Sequence, residues 1–352
     1  MPSVEALVES WEGETTLIHR DPTTGAHIII AVHSSHLGTP SGGTRMKHYA
    51  SLAEAVHDAH NLARGMTHKL ALAGLQRGGG KGVIALPTAF DPAARPGLLR
   101  RYGALLKQLG GFFETGPDVG TSDRDMDVIA ETGAPHVFCR TVEAGGSGDT
   151  GPATALGVFY GIQAACERAF GAPALKGRIV LVQGAGSVGR PLIGHLTTAG
   201  ATVLVSDVDE QALAAVLREG IERIDPEAVF DTDCDIFAPC ALGGALNRDT
   251  IPRLRCRAVA GGANNQLATP DDAERLRARG ILYAPDFAIN IGGAMVAVLM
   301  EREGHSRAAA EARLESIGDT LRRIFQVADE EGVSTEAAAR RIVERRLAGS
   351  RV

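Results

Sequence analysis

A glycine turn between a strand pattern and a helix pattern is the feature that most limits what this chain can fold into. In "IVLVQGAGSVGRPLIGHL" (179–196), Gly184, Gly186 and Gly189 follow an apolar run in G-x-G-x-x-G spacing. The first glycine permits a tight turn, the second lets a pyrophosphate approach the backbone, and the third lets helix and strand pack closely. A helix that begins here would direct its positive end at the phosphates. The segment predicts a dinucleotide-binding βαβ unit, with Ser187 and Val188 also at the cofactor.

An acidic residue at the end of the next strand pattern strengthens this prediction. Asp207 lies in "VLVSDVD", at the distance from the glycines where an acid accepts hydrogen bonds from the adenosine ribose. A carboxylate there would repel a 2′-phosphate, which favours NAD over NADP. The alternative is a glycine turn in a nucleotide-free α/β domain, with Asp207 as a strand-end cap. Strand, turn, helix and acid all agree with the dinucleotide interpretation.

The length of 352 residues exceeds one ordinary hydrophobic core and predicts two domains. The small, polar stretch "TVEAGGSGDT" (141–150) reads as the hinge. We expect an N-terminal α/β substrate domain over 1–140, and a Rossmann-type, doubly wound parallel-sheet domain over 145–325. Helices in 326–352 are expected to pack back on the first domain.

Composition excludes several other classes of protein. The net charge of −6 gives no reason to expect nucleic acid or an anionic membrane as partner. No apolar run approaches a bilayer span and the N-terminus lacks a signal-peptide pattern, so a cytoplasmic protein is expected. Five cysteines without a CxxC pair indicate neither a disulfide framework nor a zinc site. His57 and His60 stand one helical turn apart but lack a third ligand, so no metal is predicted.

Two lysines lie in "GMTHKLALAGLQRGGGKGVIALP" (65–87), after a predicted helix over 51–66. Lys81 closes a run of three glycines (78–80), which could bring the backbone close to a ligand. A lysine amine in a cleft can serve as a general base, and Lys69 could hold a substrate carboxylate or supply a second positive charge. Spacing alone leaves solvated loop lysines as an equal alternative.

Several motifs occur together in the order found in the glutamate/leucine/phenylalanine/valine dehydrogenase superfamily. They are the double-lysine block, the G-x-G-x-x-G unit, "GGTRM" (42–46), "TGPDVGTS" (115–122), "GGANNQLA" (261–268) and "YAPDFAINIGG" (283–293). The sequence resembles the leucine, phenylalanine and valine dehydrogenase branch most, over roughly residues 25–345. The resemblance implies a homo-oligomer, at least a dimer.

The resemblance also implies roles for individual residues. Lys69 would bind the substrate α-carboxylate, Lys81 would activate the water that attacks the imino acid, and Asp118 would exchange protons with the amino group. Hydride would pass from Cα to NAD, and the products would be a 2-oxo acid and ammonia. Positions implied at the nicotinamide are Arg45, Thr154, Ala238, Pro239, Cys240 and Asn264. Asn264 would also lie near the substrate, with Asn265 as the neighbouring candidate.

The expected substrate is a hydrophobic L-amino acid, with phenylalanine ahead of leucine and valine. Implied pocket positions are Ser41, Gly43, Pro117, Ala294 and Ala297. Small side chains there leave space for a large substrate, although each methylene is worth only about 1–3 kcal/mol in discrimination. One alternative is glutamate dehydrogenase, which would need a basic residue such as His68 or Lys47 to bind the substrate γ-carboxylate. The other is a catalytically silent NAD-binding regulator.

Overall fold

The computed structural model describes residues 2–217, 221–241 and 243–349. The chain divides into two compact units. Unit 1 comprises Met1–Asp149, Ala297–His305 and Arg345–Val352, and unit 2 comprises Thr150–Val296 and Ser306–Glu344.

Unit 1 is built mainly from the first nine helices and strands. They are α1 (Val4–Glu9), β1 (Thr15–Arg20), β2 (His27–Ser34), β3 (Pro40–His48), α2 (Leu52–Leu72), β4 (Gly78–Leu86), α3 (Arg95–Gln108), β5 (Glu114–Pro117) and α4 (Asp123–Gly133). The strands form one sheet in the order β1-β2-β4-β3-β5. β3 runs parallel to both β4 and β5, while β2 runs antiparallel to β1 and β4.

The alternating side chains of β2 and β4 build two hydrophobic cores, one on each face of the sheet. Ile28, Ile30 and Ile84 join the core that α3 and α4 cover, around the fully buried Tyr102. On the opposite face, Ile29, Ala31 and Val83 pack against the alanine-rich side of α2. Because both faces are covered, β4 is buried along nearly its whole length.

The lysine segment differs from its sequence-based prediction in two ways. α2 continues to Leu72, so Lys69 lies in its last turn and not in a loop after residue 66. The glycines at 78–80 belong to β4, and what comes close to them is protein. A Cβ on Gly79 would stand 2.2 Å from the Thr67 nitrogen, and one on Gly80 would stand 2.8 Å from the Phe113 ring. The glycines therefore let the sheet pack tightly, a tertiary requirement that local sequence does not reveal.

From residue 150 the chain alternates between strands and helices. The elements are α5 (Gly151–Phe170), β6 (Ile179–Gln183), α6 (Gly189–Thr198), β7 (Thr202–Ser206), α7 (Glu210–Ala214), β8 (Ile221–Arg223), β9 (Ile236–Pro239), β10 (Ala258–Val259), α8 (Asp271–Ala278), β11 (Leu282–Tyr283), α9 (Asp286–Ile289), α10 (Gly292–Glu301), α11 (Arg307–Ala312), α12 (Ser316–Glu331) and α13 (Thr335–Gly349). The strands of unit 2 form an all-parallel sheet in the order β11-β10-β9-β6-β7-β8. The order reverses beside β6, which is the switch point of a doubly wound sheet.

The C-terminal helices divide between the units. α12 is amphipathic, and its apolar side packs against α5 within unit 2. Residues up to Glu344 group with unit 2, and only those from Arg345 on group with unit 1. The sequence prediction assigns the whole of 326–352 to the first domain. Its last three residues lie outside the described chain. No described helix combines the length and apolar character that a membrane span needs.

Candidate active site

Lys81 and Asp118 form a buried ion pair in unit 1. Lys81 lies in the middle of β4 and is 5% exposed, and Asp118 follows the last residue of β5. The Lys81 Nζ lies 3.0 Å from the Asp118 Oδ2. In the sheet, β3 lies between β4, which carries Lys81, and β5, which Asp118 follows. A Cβ on Gly43 of β3 would stand 2.9 Å from the Asp118 Cβ. A side chain at 43 would therefore occupy the space beside the pair.

Arg45 continues this pair into a longer chain of charges. Its Nε donates to Asp118 Oδ2 at 2.9 Å, and its Nη1 donates to Asp58 Oδ2 at 3.0 Å. The Tyr49 hydroxyl donates to the same Asp58 oxygen at 2.7 Å. Arg45, which the family resemblance implies at the nicotinamide, is thus held between two carboxylates of its own unit.

The electrostatics of the cluster keep Asp118 ionised. Burial alone would raise the pKa of the Asp118 carboxyl, but the charges of Lys81 and Arg45 outweigh it and hold that pKa well below its usual range. Burial would likewise lower the pKa of Arg45, and the carboxylates of Asp118 and Asp58 raise it instead. Burial and the hydrogen bond to Asp58 both raise the pKa of Tyr49, so its hydroxyl remains a donor.

The backbone turn that carries Asp118 is held by a threonine. The Asp118 N–H donates to the Thr121 Oγ1 at 2.9 Å, and the Thr121 hydroxyl lies 2.8 Å from the Thr44 carbonyl oxygen on β3. Gly120 has φ +81°, and a Cβ there would overlap the Met46 carbonyl oxygen. These contacts place the carboxylate against β3 with little freedom.

The remaining predicted site residues of unit 1 lie on the same elements or nearby. Lys69 is half-buried at the end of α2, where a cation complements the helix dipole. Ser41 on β3 is 2% exposed, and its hydroxyl donates to the Thr39 carbonyl at 3.2 Å. Pro117 ends β5. Ala297 is fully buried against Phe138 and Cys139, which leaves its methyl group no open space within this unit.

In unit 2 the three glycines of the turn between β6 and α6 have distinct environments. Gly184 has φ +102°, and a Cβ on Gly189 would stand 1.8 Å from the Gly184 carbonyl oxygen. A Cβ on Gly186 would meet nothing within 4 Å. The first and third glycines therefore close the turn, while the second opens toward free space. This is the cradle that a pyrophosphate requires, together with the N-terminus of α6, so the residues present fit a dinucleotide.

Asp207, directly after β7, is tied to this turn. Its Oδ2 accepts the Ala185 N–H at 2.7 Å, and its Oδ1 accepts the Asp209 N–H at 2.9 Å. Each carboxylate oxygen keeps a further lone pair for a ribose hydroxyl. On β9, which pairs with β6 on the side away from β7, Ala238 and Pro239 lead to Cys240. The Cys240 sulfur accepts the Gly262 N–H at 3.4 Å.

The other predicted residues of unit 2 border the same end of the sheet or the adjoining helices. Asn264 is exposed, and its Oδ1 accepts a hydrogen bond from the Asn290 Nδ2 at 2.7 Å. Asn265 has φ +52°, an uncommon backbone conformation for a residue other than glycine. The Thr154 hydroxyl in the first turn of α5 accepts the Gly293 N–H at 3.1 Å, and Ala294 follows on α10.

The structure thus assembles the predicted residues into two groups, one in each unit. Asp58 and Tyr49 are functional-site neighbours that the sequence analysis missed. In the sequence, Asp58 could have been noticed because it stands one helical turn after the buried Ala55, on the apolar side of α2. On the same helix, His57 is hydrogen-bonded to the Asn61 side chain, and His60 is hydrogen-bonded to the Thr16 hydroxyl. Within the described ranges, no three His, Cys, Asp or Glu side chains converge as metal ligands.

Comparison with known proteins agrees with this arrangement. A family model described as "Glu/Leu/Phe/Val dehydrogenase, dimerisation domain" matches residues 18–134. A second, "Glutamate/Leucine/Phenylalanine/Valine dehydrogenase", matches 145–213 and 207–348.

Individual relatives match over nearly the whole chain. Leucine dehydrogenase of Geobacillus stearothermophilus is 41% identical over 341 residues, which cover 97% of this chain and 92% of that protein. Valine dehydrogenase of Streptomyces coelicolor is 44% identical over 347 residues, with 96% and 93% covered. The crystal structure of L-tryptophan dehydrogenase from Nostoc punctiforme superposes with a TM-score of 0.84 at 38% identity, covering 99% of both chains. The chain therefore belongs to the Glu/Leu/Phe/Val dehydrogenase family.

Proposed function

We propose that this amino acid dehydrogenase catalyses the reversible, NAD-dependent oxidative deamination of a hydrophobic L-amino acid to its 2-oxo acid and ammonia. The observation that carries the proposal is the buried Lys81–Asp118 pair, held by Arg45. An amine and a carboxylate in direct contact, both nearly removed from solvent, are poorly explained as structural support alone. They are the two groups that deamination needs.

Each side chain of the cluster has a defined task in this proposal. Asp118 enters the reaction as a carboxylate and accepts a proton from the substrate amino group. Asp118 passes that proton to solvent and then takes the ammonium proton of Lys81 across their 3.0 Å contact. The neutral Lys81 amine takes a proton from the water that adds to the imino carbon. The Asp118 carboxyl returns its proton to the departing amino group, which restores the ion pair. Lys69 binds the substrate α-carboxylate, and Arg45 holds Asp118 in place.

The cofactor proposal rests on the turn after β6 and on Asp207. Backbone N–H groups at Gly186, Ser187 and Val188 would hold the pyrophosphate, and Asp207 would accept the ribose hydroxyls. Its negative charge favours NAD over NADP. NAD, when bound, supplies the acceptor for the hydride that leaves the substrate Cα. Thr154, Cys240 and Asn264 are proposed neighbours of the nicotinamide.

For the substrate we place phenylalanine ahead of leucine and valine, within one class of hydrophobic amino acids. Glutamate is the alternative that would need a cation at its γ-carboxylate. Lys47 is exposed and lies over the Tyr49 ring, 4.4 Å from its centre, so it already has a partner. The name of the N-terminal family model, a dimerisation domain, supports a homo-oligomer of at least two chains.

A single assay tests the reaction and its alternatives. The purified protein is mixed with ammonia, NADH and one of four oxo acids: phenylpyruvate, the oxo acids of leucine and valine, or 2-oxoglutarate. We expect NADH oxidation with the hydrophobic oxo acids, fastest with phenylpyruvate. A strict preference for 2-oxoglutarate would overturn the substrate class. Binding of NADH without turnover of any oxo acid would instead identify a silent regulator.

A further inference from the structure

Two cysteines that the proposed reaction does not use face each other at the N-terminal ends of two neighbouring strands of the parallel sheet in unit 2. Cys234 precedes β9, and Cys256 precedes β10. Asp233 bridges Arg255 in parallel, and Ile236 pairs with Ala258 in the same register. Cys234 and Cys256 are therefore directly opposed.

This register brings the two sulfurs together. The Cys234 N–H donates to the Arg255 carbonyl at 3.3 Å, so the strand pairing extends to the cysteines themselves. Directly opposed residues point to the same face of a sheet, and neighbouring strands lie about 4.8 Å apart. That spacing falls in the range of about 4.4–6.8 Å between Cα atoms that a disulfide spans. Both thiols are free.

We propose that Cys234 and Cys256 form a peroxide-sensitive dithiol that closes reversibly to a disulfide. Both side chains are partly exposed, whereas Cys139 is 1% exposed and Cys166 is fully buried. A small hydroperoxide can thus reach this pair, and its two members need no large movement to join.

The two cysteines have different chemical roles. The hydrogen bond from Cys234 lowers the pKa of Cys256 against the opposing effect of burial, and the Phe237 N–H and Arg279 add to the lowering. The pKa of Cys234 is raised by the same shared hydrogen bond and by burial. Because the Phe237 N–H and the Arg279 charge act on Cys256, Cys256 is the nucleophile and Cys234 the resolving thiol. Burial raises the pKa of Cys166 to about 11.

The oxidation balances in two steps. The Cys256 thiolate attacks one oxygen of hydrogen peroxide, an S–O bond forms, the O–O bond breaks, and hydroxide leaves and takes up a proton. Cys234, as its thiolate, then attacks the Cys256 sulfur, the S–O bond breaks, and a second water leaves. The two sulfurs have given two electrons to the peroxide, and a small dithiol reverses the change.

The disulfide would join β9 and β10 at their N-terminal ends. The opposite ends of these strands lead to Cys240 and Gly261, beside the proposed nucleotide loops. The modification therefore leaves the loops uncovered while it locks the register of the strands that carry them. We expect oxidised protein to bind NADH with unchanged affinity and to unfold at a higher temperature than reduced protein, because a closed loop restricts the unfolded chain.

Mass spectrometry of the full-length protein tests the proposal without reference to turnover. Stoichiometric hydrogen peroxide should lower the intact mass by about 2 Da, the loss of two hydrogens, and proteolysis should yield one linked peptide pair containing residues 234 and 256. Cys234→Ser should stop at a sulfenic acid on Cys256, which a 1,3-diketone reagent traps. Cys256→Ser should give neither product.

An independent measurement on the unmutated protein covers the case in which a variant does not fold. Iodoacetamide at neutral pH should label Cys256 at least about tenfold faster than Cys139 or Cys166. Peroxide that leaves residues 234 and 256 unlinked overturns the proposal, as does faster labelling of Cys139 or Cys166. Failure of the dehydrogenase assay would leave these readouts unchanged, so the two proposals are separable.

Discussion

Gly43→Ala tests whether the backbone approach at β3 positions the proposed catalytic carboxylate. A Cβ at residue 43 would stand 2.4 Å from the Pro117 carbonyl oxygen and 2.9 Å from the Asp118 Cβ. Ordinary van der Waals contact begins near 3.4 Å. Pro117 is paired to Thr44 in the sheet, so the methyl group must displace the end of β5 by roughly 1 Å.

The displacement has a cost in stability and a larger one in catalysis. Overpacking of this kind destabilises a folded domain by about 1–3 kcal/mol. In a unit of this size that lowers the melting temperature by roughly 2–12 °C. A shift of about 1 Å in a catalytic group can reduce turnover about 100-fold. NADH affinity should remain, because the glycine turn after β6 lies in the other unit.

The matched control is Gly65→Ala on α2. A Cβ at residue 65 would meet nothing within 4 Å, and alanine is favoured over glycine in a helix by about 1 kcal/mol. The control should keep full activity and melt at the same or a higher temperature. Steady-state kinetics with ammonia, NADH and phenylpyruvate give kcat, and calorimetry gives Tm. Equal kcat in the two variants, with a lowered Tm for Gly43→Ala alone, would refute the positioning argument.

Three further predictions concern single side chains. Lys81→Ala should lower kcat by at least about 100-fold with an unchanged Kd for NADH. Lys47→Ala, which changes an exposed lysine on β3, should keep its activity. Equal kcat values for the two variants would remove the assignment of Lys81 as the base. Asp207→Asn keeps an oxygen that can accept the Ala185 N–H but loses the negative charge. The ratio of NADPH affinity to NADH affinity should therefore rise. An unchanged ratio in a binding titration would contradict the role of Asp207 at the ribose. Asp21 has its pKa lowered to about 2, first by hydrogen bonding to Arg101. The ion pair of Asp21 with Arg101 stabilises the fold fully above the unfolded-state pKa of 3.8, and this stabilisation is lost as the pH falls toward 2. The difference in unfolding free energy between wild type and Asp21→Asn should therefore become smaller below about pH 4. Denaturant titrations that show a constant difference would be inconsistent with this ion pair.

The nucleotide-binding unit was the part most accessible to prediction from sequence. Its glycines, the strand before them and the acid after them lie within about thirty residues, and each acts through local backbone geometry. The family model and the parallel sheet confirm the fold of this unit. The start of the helix predicted over 51–66 also follows from local geometry: α2 begins at Leu52, and the Ser51 side chain before it accepts the Glu54 N–H as an N-cap.

The proposed catalytic cluster shows where sequence reasoning ended. Family resemblance singled out Lys81 and Asp118, but nothing local in the sequence indicated that Arg45 would bind both Asp118 and Asp58. The three glycines before Lys81 suggested a flexible approach to a ligand, yet they form a buried strand. Gly79 and Gly80 have to be small because Thr67 of α2 and Phe113, which precedes β5, pack directly against them. Only the tertiary structure brings these residues together.

By itself the sequence determined the elements whose signals are local: the glycine turn, the start of α2, the apolar strands and the division into two α/β units. Tertiary structure alone decided which charges meet and which thiols face each other. The reason is physical, because an ion pair or a cross-strand contact depends on sheet order and register. Those are set by the burial of whole faces, and no short stretch of sequence encodes them.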